Sequence, residues 1–221
     1  MFQDEDRPAY ALGRAAHVLI LEGRERLNQE YAFGGPINAR TGKLYGVNTQ
    51  AYAEWAAAQG KPVLTDDQLS LIVSLAGGIR SHAMATALLS EGVAESVVRA
   101  DYCGVPCQTR MDWFSRSAGI VDLKTCDDLT RFEADARRFG HAYQLAFYRA
   151  VLAVVSGTVQ PVHLIAVEKR EPFRCGVWRV SEQSLDYCQK ENEAAIERLK
   201  SCAATGHWPT CYEEVRVFDS F

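Results

Sequence analysis

The chain has 221 residues, of which 48% are hydrophobic and 24% charged, an ordinary globular composition with room for one sizeable core. A net charge of −4 and a pI near 5.8 argue against a surface that is basic all over, so any nucleic-acid contact has to be confined to a groove. The longest apolar run, YRAVLAVV at 148–155, is interrupted by Arg149 and is far too short for a membrane span.

The acidic opening MFQDEDRPAY has no signal-peptide core, so a cytoplasmic protein without membrane contact is expected. Seven cysteines at 103, 107, 126, 175, 188, 202 and 211 form no CxxC pair, and reduced thiols are expected. Cys202 and Cys211 lack the clustered spacing of a C-terminal iron–sulfur site.

The segment 11–23 predicts a helix carrying His17, followed by a Gly- and Pro-punctuated loop over 32–46 and a short helix over 48–60. Thr65 and Gln68 spell a capping box, and apolar spacing continues the helices to residue 90, with a kink or break expected at Gly77-Gly78. The texture changes at Val93. Short β-rich runs at 94–100, 106–114 and 118–124, separated by tight turns, predict a three-stranded antiparallel meander.

A long helix is predicted over 127–157, capped by Asp127 or Asp128, with Phe132, Ala136, Phe139, Tyr143, Ala146, Phe147, Ala150 and Val154 on its apolar stripe. Strands follow at 161–169 and 174–180. A Ser-capped amphipathic helix over 181–206 stops at a glycine. The fold class is α+β, a single domain over 1–221: a mainly helical portion (1–92), a catalytic sheet and helix (93–180) with βββαβ order, and a C-terminal helix and tail (181–221).

Within this frame the run GIVDLKT is unusual. Its flanks mark a buried strand, yet it carries Asp122 and Lys124, two residues apart and therefore on one face. Leu123 points the other way. A hairpin back to the preceding strand brings Asp112 beside Asp122. Buried charges need partners. Two carboxylates repel one another and raise a pKa, whereas a hard dication accepts their oxygens and a nearby ammonium stabilises developing negative charge. The pattern therefore predicts metal-assisted hydrolysis of a phosphodiester. A solvated strand face is the simpler source of a lone D-x-K, but the apolar flanks speak against it.

The stretch resembles the PD-(D/E)xK nuclease superfamily and, more narrowly, the exodeoxyribonuclease VIII (RecE) type of phage recombination exonuclease. LGRAAH resembles that family's first helical motif, AESVVRAD its first core strand, CQTRMD its C-x-x-R-x-D, IVDLKT its D-x-K-T and YQLAFY its Q-x-x-x-Y; VEKREP and GHWP match later signatures. Met111 stands where the superfamily's name has proline. The resemblance implies a restriction-endonuclease-like core with a mixed central sheet flanked by helices. It implies metal ligation by Asp112 and Asp122, a catalytic Lys124, His17 as a further ligand or water-positioning residue, and Glu95 as a ligand or ordering group. It places Gln144 and Tyr148 on a helix lining the site, with Arg137 and His141 on the same polar stripe.

The implied activity is a Mg²⁺-dependent exonuclease (Mn²⁺ substituting) that degrades linear double-stranded DNA 5′ to 3′ in a bacterial host, phage or prophage encoded. The implied partners are DNA ends, a single-strand annealing (RecT-like) protein and further copies of the chain in a ring. The alternatives are a non-catalytic DNA-binding or assembly module of the same fold and a structure-specific endonuclease.

Overall fold

A computed structural model describes residues 8–218, with side chains from Ala11 onward. The acidic stretch 1–7 lies outside the described residues. Helix α1 (Pro8–His17) runs directly into a π-helical turn (Val18–Glu22), and α2 (Arg24–Glu30) follows. Two short strands, β1 (Ala32–Phe33) and β2 (Val63–Leu64), pair in parallel around α3 (Gln50–Ala58), whose cap is the Thr49 hydroxyl. Helix α4 (Asp66–Arg80) opens on the capping box expected from sequence: the Thr65 hydroxyl accepts the Gln68 N–H, and the Gln68 side chain accepts the Thr65 N–H. Helix α5 (Ala83–Leu88) is capped by the His82 imidazole.

No break occurs at Gly77-Gly78, and α4 continues through both glycines to Arg80. The reason for Gly78 lies elsewhere. A Cβ there would come within 2.2 Å of the Phe173 carbonyl oxygen, so the missing side chain lets that loop dock on the helix.

The main sheet has five strands in the order β3-β4-β5-β6-β7. They are β3 (Val93–Tyr102), β4 (Val105–Ser115), β5 (Gly119–Cys126), β6 (Val162–Glu168) and β7 (Cys175–Arg179). The first three form the expected antiparallel meander. The β5–β6 pair is parallel and β6–β7 antiparallel, which makes the sheet mixed. Helices α6 (Phe132–Arg138) and α7 (His141–Ser156) provide the crossover, and α8 (Glu182–Thr205), capped by Ser181, closes the chain's regular structure.

The single helix predicted over 127–157 is therefore two. Gly140, left-handed at φ 70°, ends one and starts the other. Phe139, assigned to the apolar stripe, is two-thirds exposed as a result. Neither predicted aspartate cap forms. Asp128 instead accepts the backbone N–H and hydroxyl of Thr130, and Asp127 pairs with Lys169.

The sheet is covered on both faces. Val121, Leu123, Ile165 and Val167 pack against α1, α4 and α5, and Ile120, Leu164 and Ala166 pack against α7 and α8. This alternation sends Leu123 into one core and leaves Asp122 and Lys124 on the α7 side of β5.

Candidate active site

The site forms where the sheet divides. Strand β4 pairs with β5 only through Trp113–Val121, Phe114–Ile120 and Ser115–Gly119. Beyond Trp113, β4 stays with β3 while β5 stays with β6 over residues 120–126. The two strands diverge, and the Leu123 N–H that no β4 backbone reaches is taken up by the Asp112 carboxylate at 2.8 Å. The hairpin thus brings Asp112 and Asp122 together as the sequence suggested, with Asp112 also holding the fork by a side chain.

Asp122 is 1% exposed and its Oδ2 lies 2.6 Å from the Lys124 ammonium. Among the described residues, Asp122 Oδ1 has no hydrogen-bond partner. Burial, and then repulsion from Asp112, push the Asp122 carboxyl up, against the pull of Lys124. Burial also pushes Asp112 up, with Lys124, the Leu123 N–H and Arg110 opposing. Burial works against the charge of Lys124, but Asp122 and Asp112 outweigh it and hold the ammonium above its usual pKa. The lysine is therefore a fixed positive charge at neutral pH.

Helix α1 delivers His17 from the other side. Its Nδ1 lies 3.6 Å from Asp112 Oδ2, and burial followed by the Lys124 charge lowers its pKa to about 4. The ring is neutral at physiological pH, the form that can donate a lone pair to a metal. The π-helical turn begins at the very next residue, a distortion often found at functional sites.

Glu95 arrives from β3. It stands across the ladder from Asp112, between the pairs Ala94–Trp113 and Ser96–Met111, with a left-handed backbone at φ 51°. Burial raises its pKa, and Arg110, 2.9 Å away, counters that. One ligand atom each from His17, Glu95 and Asp112 lies within 4.8 Å of the others. Asp122 stands beside this group, since the charges of Asp112 and His17 both act on it.

This donor set fits a hard dication. It offers an imidazole and three carboxylates whose charge is disfavoured by burial, and the buried Oδ1 of Asp122 has no partner among the described residues.

Helix α7 supplies the remaining predicted residues. Gln144 Nε2 donates to the Tyr148 hydroxyl at 2.9 Å, and Tyr148 lies close enough to Lys124 to act on its charge. His141, half-buried, is held below its usual pKa by burial and by Lys124. Arg137 is not part of this stripe. It sits on α6, beyond the Gly140 break, exposed and near Glu133.

The site residue that the sequence did not single out is Arg110, although it occupies the arginine position of CQTRMD. Its spacing of two from Asp112 was the available signal, since that places both on one strand face.

A mixed sheet that forks at an aspartate, followed by D-x-K on the adjoining strand and a helix that packs against it, defines the PD-(D/E)xK class of domain. The chain belongs to the family described as PDDEXK-like domain of unknown function (DUF3799), whose model matches residues 1–220. Its fold is also similar to the crystal structure of a protein from Eubacterium rectale described as a "putative exonuclease", with a TM-score of 0.69 at 15% identity over 99% of this chain and 78% of that one. No curated protein matches the chain in sequence. Among the described residues no helix is long and apolar enough to cross a membrane.

Proposed function

We propose that the protein is a Mg²⁺-dependent deoxyribonuclease that degrades linear double-stranded DNA from its ends. The observation that carries this reading is the buried Asp122 carboxylate, paired with Lys124 and set beside the His17–Glu95–Asp112 group. A domain that binds DNA without cutting it gains nothing from burying three carboxylates of raised pKa and a lysine at one fork.

Asp112, Asp122, Glu95 and His17 would hold the ion, which when bound supplies charge neutralisation and Lewis acidity toward a phosphate oxygen and a water. Lys124 places a permanent positive charge where negative charge develops at phosphorus and orients the attacking water. Tyr148, with its hydroxyl bonded by Gln144, bears electrostatically on Lys124 and would hydrogen-bond a phosphate oxygen. His17 stays neutral and so can offer a ring nitrogen to the ion.

End-directed cutting, 5′ to 3′ polarity, a ring of copies and a strand-annealing partner in a bacterial cytoplasm belong to the same proposal, on the resemblance of the quoted motifs and the description of the E. rectale protein. Incubation of end-labelled linear duplex and closed circular DNA with Mg²⁺ tests it. Progressive loss of the linear form from its 5′ ends, with the circle intact, is expected. Cutting of the circle at a comparable rate supports an endonuclease instead, and binding without hydrolysis supports the non-catalytic module.

A further inference from the structure

Arg110 has one partner where the chemistry offers it two. Its Nε lies 2.9 Å from Glu95 Oε2, and among the described residues no other carboxylate pairs with it. The guanidinium is 70% exposed, so the pair is weak and readily exchanged. Glu95 is one of the three residues whose ligand atoms converge. It lies across the ladder from Asp112, and Arg110 precedes Asp112 by two positions on the same face of β4. The charge of the guanidinium is felt by Glu95, Asp112 and His17 alike. A dication entering there meets a carboxylate already engaged by a cation, and the two cations repel.

We propose that Arg110 serves two anions in turn: it holds Glu95 in the metal-free protein and, once Glu95 turns to the metal, it presents its guanidinium to the substrate phosphate beside that metal. This rests on the metal-dependent nuclease reading above. A planar guanidinium suits a phosphate, which it can grip with two parallel hydrogen bonds.

The path outward is consistent with this role. On the same exposed face of the β3–β4 ribbon, Arg99 bonds Gln108 at 2.6 Å, and a shallow concavity of about 440 Å³ runs past Arg99, Asp101, Pro106 and Gln108. Arg110 lies between this concavity and the fork, so a nucleic-acid strand leaving the site would cross a polar floor. Metal and DNA binding become coupled through one side chain. The metal releases the arginine, and the arginine adds a phosphate contact only when the metal is present.

The test is a double-mutant cycle read by calorimetric titration with Mn²⁺ in the absence of DNA, on wild type, Arg110→Ala, Glu95→Gln and the double variant. Arg110→Ala is expected to bind Mn²⁺ about 2–5-fold tighter, the size of an exposed ion pair removed, and to change nothing in the Glu95→Gln background. Binding of a 5′-phosphorylated duplex in Ca²⁺ is expected to weaken about tenfold in Arg110→Ala. Unchanged or weaker Mn²⁺ affinity in Arg110→Ala, or unchanged DNA affinity, overturns the role of Arg110 while wild type still binds metal. A wild type that binds no Mn²⁺ overturns the metal reading itself.

Discussion

Replacing Asp112 by asparagine separates what the carboxylate does for the fold from what it does for the metal. The asparagine carbonyl can still accept the Leu123 N–H that now lies 2.8 Å from Asp112, so the forked strands keep their tie. The charge that is lost is one that burial already disfavours. The metal-free variant should therefore melt within a few degrees of wild type. The metal response should differ sharply. At a Mg²⁺ concentration 100 times its Kd, binding stabilises wild type by about 2.7 kcal/mol. For a chain of this size that raises Tm by roughly 5–11 °C. Loss of a ligand costs at least about 100-fold in affinity, since even outer-shell partners cost 10–100-fold. At the same Mg²⁺ concentration the variant then gains only about 0.4 kcal/mol, a shift of roughly 1–2 °C. Differential scanning fluorimetry with Mg²⁺ or EDTA reads both quantities. A full Mg²⁺ shift in Asp112→Asn would refute ligation by Asp112, and a collapse of its metal-free Tm would refute the claim that the fold needs only an acceptor there.

Lys124→Ala should cut hydrolysis of linear duplex by at least about 100-fold, the cost of removing one preorganised charge-stabilising group, while keeping the Mg²⁺ thermal shift; turnover within tenfold of wild type would contradict its role. Gly78→Ala forces a Cβ to within 2.2 Å of the Phe173 carbonyl and should destabilise by about 1–3 kcal/mol in urea unfolding, with a neutral result showing that the loop docks loosely. Glu168 is fully buried, and two hydrogen bonds from Arg174 with one from the Leu129 N–H hold its carboxyl down at about 2. Because the folded pKa is depressed, its contribution is present above the unfolded value near 4.5 and is lost as pH falls toward 2. Glu168→Gln should be less stable at neutral pH and should lose less stability than wild type between pH 4.5 and 2; parallel acid-unfolding curves would remove this group from the acid limb.

The parts of the fold legible in the sequence were those set by period and punctuation. Alternation over GIVDLKT assigned Leu123 to one face and Asp122 with Lys124 to the other, and Thr65 with Gln68 marked the start of α4 to the residue. The misreadings share a cause. Apolar spacing runs on across Phe139 and Gly140, but a single left-handed glycine turns the second helix, which one-dimensional periodicity cannot register. Gly77-Gly78 reads as a breaker from propensity, yet the demand on Gly78 comes from a loop almost a hundred residues later. At the site, the residue types and their strand face were visible beforehand. The fork that frees the Leu123 N–H, the left-handed Glu95 and the Glu95–Arg110 pair were not, because each depends on which strands stay paired rather than on local pattern. His17 and Gln144 with Tyr148 were reached only through the resemblance; spacing alone could not link an N-terminal helix to the fork.

The central claim is that the fork hydrolyses phosphodiesters with a divalent metal held by Asp122 and its neighbours. The most direct measurement is nucleotide release from linear, 5′-phosphorylated duplex DNA by wild type and Asp122→Asn, each purified to the same standard, in Mg²⁺ and in EDTA. The account predicts release by wild type in Mg²⁺ alone and none by Asp122→Asn in either condition. Release that persists in EDTA, or in Asp122→Asn with Mg²⁺, would contradict it.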